Sequence, residues 1–241
     1  MARRICQESG ITPEVVPVFI IWLLLAFLVG LVLLAYIAIL RTVMPLAPAL
    51  SPGDLSGARD PDYFARQEEV FRENGYRPAG DFFWHEGLTS VAMRIFLEED
   101  GGSYGWALEQ AVAGVEAPRR SVSVLSLFAD GTVLDTTSAG QGSLVDPPWF
   151  LRAVVSEDTG TILRRHRERR EDLLRAGKEL VCVREEDLLE TIRRQEGRLG
   201  EYQVEKGRMR LVDGRLRFTP AGALRVLVRA LGRPFIRSGR R

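Results

Sequence analysis

Arginine carries most of the chemistry this chain can do. Lysine occurs only at Lys178 and Lys206, so nearly every cation is a guanidinium, a rigid fork of donors suited to phosphate and carboxylate. A GC-rich coding sequence is enough to explain that bias, so position matters more than number. Residues 200–241 hold eleven Lys/Arg against three acids, a balance of +8 that leaves −7 for the rest of a chain of net charge +1. Two sets stand out within this basic end. Arg225, Arg229, Arg233, Arg237 and Arg241 recur every four residues, with Arg240 beside the last and Leu224, Val226, Leu227, Val228 and Leu231 among them. Such a segment can lie on an anionic bilayer with its Arg stems reaching up to the lipid headgroups. The plainer reading is an ordinary packed helix over 221–231, ended by Pro234, with a frayed tail. The second set, Arg208, Arg210, Arg215 and Arg217, flanks Asp213-Gly214 and could contact phosphates of a nucleic acid.

Other reactive residues are sparse. His85 and His166 are the only histidines, and neither stands at a metal-ligand spacing from the other or from a cysteine, so no metal site is expected. His85 beside Trp84 could act as a general base, but no nucleophile or orienting carboxylate accompanies it; a packed or solvent-facing strand histidine is the expectation. Cys6 and Cys182 lie on opposite sides of a long apolar run, and no disulfide framework follows. Asp130 and Asp135 fall at a turn and a strand end. No Gly-x-Gly-x-x-Gly, P-loop or Gly-x-Ser-x-Gly pattern occurs. No catalytic residue and no cofactor is assigned.

The element that positions everything else is Val18–Leu40, 23 consecutive uncharged residues. At about 1.5 Å per residue this run spans the roughly 30 Å hydrocarbon core. It exceeds a signal-peptide core and follows a polar head of residues 1–14, so a retained single-pass anchor over 15–41 is expected rather than a cleaved leader, despite the Ala47-Pro48-Ala49 run. Trp22 and Tyr36 sit toward its two ends, where amphipathic rings favour the headgroup level. Ala26 and Gly30 form one small-residue pair through which a second copy or another membrane protein could pack. Arg3 and Arg4 on one side nearly balance Arg41 and Arg59 on the other, so the basic C-terminus decides the orientation: a cytoplasmic soluble region.

Prolines and glycines make 45–61 a stiff spacer. Asp60-Pro61 predicts a helix start, with Tyr63, Phe64, Gln67, Val70 and Phe71 on one face to about residue 74. Strands are predicted at 80–86, 91–98, through Tyr104, Trp106 and Leu108, and near 121–128 and 132–137 around Asp130-Gly131. The alternation slips at Leu125, which predicts a bulge. Residues 62–150 thus read as an antiparallel meander of about five strands with a helix on one face. The order of helix, meander and LSLFADGTVLDTTS hairpin resembles an uncharacterised group of membrane-anchored bacterial proteins, a resemblance that implies anchoring and brings no activity.

Residues 151–241 read as a helical, basic region after Pro147-Pro148. Helices are expected over 157–175, with Ile162, Leu163, His166, Leu173 and Leu174 packed; over 184–195; and, short, near 199–206. Leu180–Val183, between the first two, reads as a short buried strand or link. A hairpin closes at Asp213-Gly214, and Thr219-Pro220 starts the last helix. This order resembles winged-helix modules, which would make Arg208–Arg217 a phosphate-contacting wing. Glu201 and Glu205, where the recognition helix should lie, argue against nucleic acid as the partner.

The expected fold class is α+β: an N-terminal transmembrane helix, an antiparallel meander with a packed helix, and a helical C-terminal region. The leading functional expectation is a non-enzymatic, membrane-tethered binding or scaffolding protein. A membrane-anchored, winged-helix-like DNA-binding protein is the alternative, and an enzyme with an undisclosed site the third.

Overall fold

The structure, a computed structural model, describes residues 15–45, 52–86, 89–139, 146–155 and 158–231. The fold class is α+β. The chain forms two compact units, Pro45–Tyr202 and a second that joins Met1–Met44 to Gln203–Arg241.

Helix α1 (Val15–Arg41) is about 40 Å long at the standard rise. Over Ile20–Arg41 it is long and apolar enough to cross a membrane. From Ile20 onward most of its Leu, Ile, Val, Phe and Trp side chains stand exposed, Trp22 at 67%. A methyl group added at Gly30 would meet nothing, so the Ala26/Gly30 face is open. Strand β1 (Val43–Pro45) follows after one residue.

In the larger unit a 3-10 turn at Leu55–Gly57 precedes helix α2 (Pro61–Glu73), capped by the Asp60 carboxylate, which accepts from the Tyr63 amide at 3.1 Å, with Pro61 at the first position. The meander follows as β2 (Tyr76–Glu86), β3 (Thr89–Glu98), β4 (Tyr104–Val112), β5 (Arg119–Phe128) and β6 (Val133–Thr137). All four pairings among them are antiparallel. Strand β7 (Phe150–Val154) then pairs parallel to β6, and β8 (Leu180–Val181) pairs with β5, completing seven strands. Helices α3 (Thr159–Arg175) and α4 (Leu188–Glu205) are the remaining elements.

The sheet is covered on both faces. Tyr63, Phe64 and Phe71 of α2 and Ile162 and Leu163 of α3 pack on Ala92, Phe96, Ala107, Val122 and Val124. Leu188 and Ile192 of α4 pack on Met93, Ile95, Tyr104, Leu125 and Val133. This corrects the predicted bulge at Leu125. β5 is buried continuously from Val122 to Phe128, and its registers with β4 and β6 run without a shift. Alternation fails there because both faces are apolar, not because a residue is extra. The irregularity lies instead between Pro78 and Gly80 in β2, where proline has no amide to give to the ladder.

The C-terminal part departs from the expected helical region in two ways. β7 extends the sheet past residue 150, and β8, at the short strand or link expected over 180–183, joins the same sheet, so the compact unit runs to Tyr202. The separate helices expected over 184–195 and 199–206 are one continuous α4, running through Gly197 and Gly200. The second unit contains β9 (Met209–Val212), β10 (Arg215–Phe218) and α5 (Pro220–Leu231). With β1 the two strands form a sheet of order β1-β10-β9.

Candidate functional site

The hairpin and last helix are shaped by local chemistry. Asp213 and Gly214 both have positive φ, at 52° and 73°, the type I′ geometry that matches strand twist. Alternation puts Met209, Leu216 and Phe218 inside and Arg210, Arg215 and Arg217 out. Thr219 then caps α5: its hydroxyl accepts from the Gly222 amide at 3.0 Å and donates to the Gly207 carbonyl at 2.8 Å. Gly222 lies so close to β9 that a Cβ there would stand 1.9 Å from the Arg208 carbonyl oxygen. Only glycine allows that approach.

Helix α5 docks on α1. The Tyr36 phenol donates to the Pro220 carbonyl at 3.3 Å, and Tyr36, Ile39 and Leu40 are the partly covered residues at this end of α1. Gly222, Ala223 and Leu227 are buried, whereas Leu224, Val228 and Leu231 are 54%, 60% and 65% exposed. At 100° per residue these three share one face. Arg225, exposed, and Arg229, partly covered, lie along one border of it. The plain reading of 221–231 as a packed helix therefore describes only the inner face. Arg233, Arg237, Arg240 and Arg241 lie outside the described residues, as do the polar head 1–14 and spacer residues 46–51.

The four hairpin arginines do not act as one set. Arg208 reaches in to Gln203, donating to its Oε1 at 3.1 Å. Arg210 and Arg217 stand directly opposite each other in the β9–β10 register, and Arg215 opposes Val212 on the same face. Among the described residues, none of Arg210, Arg215 and Arg217 is paired with a carboxylate. Like charges directly opposite across a strand pair repel; such a pair is a liability for folding that an anion would relieve.

The larger unit holds polar groups of a different kind. His166, 1% exposed, has Nε2 2.9 Å from the Ser126 hydroxyl and Nδ1 3.1 Å from that of Thr136. Ser126 gives its own proton to the Gly102 carbonyl at 3.0 Å, so His166 donates from Nε2 and accepts at Nδ1 as a neutral ring. Burial, reinforced by Arg170, Arg169 and Arg167, pushes its pKa down to about 3. It is a core histidine. Arg170 of the same helix forms a buried forked ion pair with Glu98, to which Ser103 also donates. On the opposite face Asp135, 4% exposed, accepts from Arg152 Nε at 2.8 Å while its Oδ1 has no partner. Burial raises it to about 6, against the opposing Arg152 charge, and also raises Glu196 nearby. His85 is exposed on β2, edge-on to Phe83 at 4.8 Å.

A groove of about 430 Å³ runs beside β8, floored by Leu127, Phe128 and Val183 and rimmed by Cys182, Arg184 and Asp187. The sequence reading missed it, because its walls come from β5, β8 and α4 and no local pattern marks it. Among the described residues no cluster of three or more His, Cys, Asp or Glu could hold a metal. No family model, curated protein or solved structure matches the chain.

Proposed function

We propose that this protein is a non-enzymatic, membrane-tethered binding or scaffolding module that meets the bilayer twice: α1 crosses it and α5 lies in its interface. The observation that carries this reading is the exposed face Leu224/Val228/Leu231 on a helix whose first residue is hydrogen-bonded to Tyr36. Full burial of a Leu or Val is worth about 1.5–3 kcal/mol. More than half of each side chain is free to bury, so the three together supply several kcal/mol. Each bordering cation adds about 1 kcal/mol near an anionic leaflet. Apolar contact therefore dominates, and the arginines select for negative lipid. The sheet unit is the cargo-bearing part, and its groove beside β8 is where a ligand or partner would sit. The basic C-terminus supports placing that unit in the cytoplasm; a reporter fused after Arg241 scores this directly.

The test uses the full chain in nanodiscs containing anionic lipid. Tryptic cleavage after Arg225 and Arg229 is slow in the parent and fast in L224S/V228S/L231S. Equal rates would remove the second contact.

A further inference from the structure

The outward face of the β9–β10 hairpin has no role in that reading. We propose that Arg210 and Arg217, with Arg215 beside them, bind the phosphate of an anionic lipid headgroup. Three observations converge on it. The two side chains are cross-strand partners, which puts their Cβ atoms about 4.5–5.5 Å apart, and Arg215 lies two residues along the same strand face, about 7 Å away. All three are exposed, and no carboxylate among the described residues neutralises them. Position supplies the third. Arg217 precedes Pro220 by three residues, so at most about 11 Å of backbone separates it from the carbonyl that Tyr36 holds. Tyrosine favours the headgroup level, and that layer is roughly 5–8 Å deep on each side of the hydrocarbon. β1, which follows Arg41 after a single residue, lies next to β10 in the sheet.

Chemistry narrows the ligand. Two adjacent guanidinium forks suit a compact, doubly charged phosphate, which each can grip through paired N–H donors. A terminal phosphomonoester headgroup fits better than the zwitterion of phosphatidylcholine, whose ammonium would meet the same positive field. Nucleic acid offers singly charged diesters. Among the described residues of this unit none forms a separate recognition helix, since residues 199–205 belong to the continuous α4.

The proposal rests on α5 holding the hairpin at the interface, and the experiment separates the two. Native mass spectrometry of the full chain released from detergent micelles measures phosphatidic acid against phosphatidylcholine for the parent, for R210Q/R217Q, and for R119Q/R164Q. The last removes two exposed charges from the other unit. The parent should prefer phosphatidic acid by about tenfold or more, R210Q/R217Q should lose about tenfold in that affinity, and R119Q/R164Q should retain it. Folding is not at stake, because the change removes a like-charge repulsion. Unchanged phosphatidic acid affinity in R210Q/R217Q would overturn the proposal, as would displacement of the lipid by a short duplex at lower concentration. Slow cleavage after Arg225 and Arg229 in R210Q/R217Q shows the α5 contact intact while the phosphate site alone is removed.

Discussion

The phenol of Tyr36 donates to the carbonyl of Pro220, 184 residues further along the chain, at 3.3 Å. One partner belongs to the helix that is long and apolar enough to cross a membrane, and the other opens the last helix of the chain. The contact is worth only about 1 kcal/mol; its value is positional. It sets the start of α5 at the level of Tyr36, and the apolar face Leu224/Val228/Leu231 follows from there.

The docking of α5 depends on Gly222 lying against the Arg208 carbonyl. Replacing Gly222 by Ala forces helix and hairpin apart and should cost about 1–3 kcal/mol or more. Hydrogen exchange on the full chain in nanodiscs should show faster exchange across 209–231 and unchanged protection in β3–β5. Protection equal to the parent's throughout would mean that the close approach is not needed.

Within the sheet unit, Glu98 and Arg170 are about nine-tenths buried as an ion pair. Glu98→Ala strands the guanidinium and should destabilise by about 3–5 kcal/mol. E98A/R170M, which removes both charges, should recover much of that loss. Urea unfolding followed by tryptophan fluorescence compares them, and a double variant no more stable than E98A would contradict the account.

Asp135 and His166 pull the pH dependence in opposite directions. Burial raises Asp135 to about 6, so its contribution is complete below about pH 4 and is lost as pH rises through 6. Burial lowers His166 to about 3, so its contribution is complete above about pH 6.5 and is lost as pH falls toward 3. Asp135→Asn leaves the histidine slope unopposed. The stability of the parent minus that of D135N should fall by about 2–3 kcal/mol between pH 4 and 7 and be level above that. A flat difference across this range would rule out the assigned shift.

Much of this was legible in the sequence where the determinants are local. Asp60-Pro61 and Thr219-Pro220 start α2 and α5 as their capping chemistry requires. Asp130-Gly131 and Asp213-Gly214 close their hairpins. What was not legible depends on distant partners. β7 lies just past Pro147-Pro148 and pairs parallel to β6, 17 positions earlier, so no hairpin turn marks the pairing. His166 reads as a packed residue, but its partners Ser126 and Thr136 are 40 and 30 positions away. The four-residue arginine spacing in α5 is visible in the chain. Which apolar residues face outward is not, because Ala223, Leu224, Val226, Leu227 and Val228 surround the helix; only the docking on α1 and β10 divides them. Arg208 shares a spacing with Arg210, yet tertiary structure turns it inward to Gln203.

The most direct test of the two-contact reading is the depth of position 228. With Cys6 and Cys182 replaced by Ser and Val228 by Cys, an environment-sensitive dye on the full chain in anionic nanodiscs should emit as in an apolar medium. Nitroxides near the headgroup end of the acyl chains should quench it strongly, and an aqueous quencher weakly. A dye at 228 quenched freely from water, and not by the lipid nitroxides, would contradict the placement of α5 in the membrane interface.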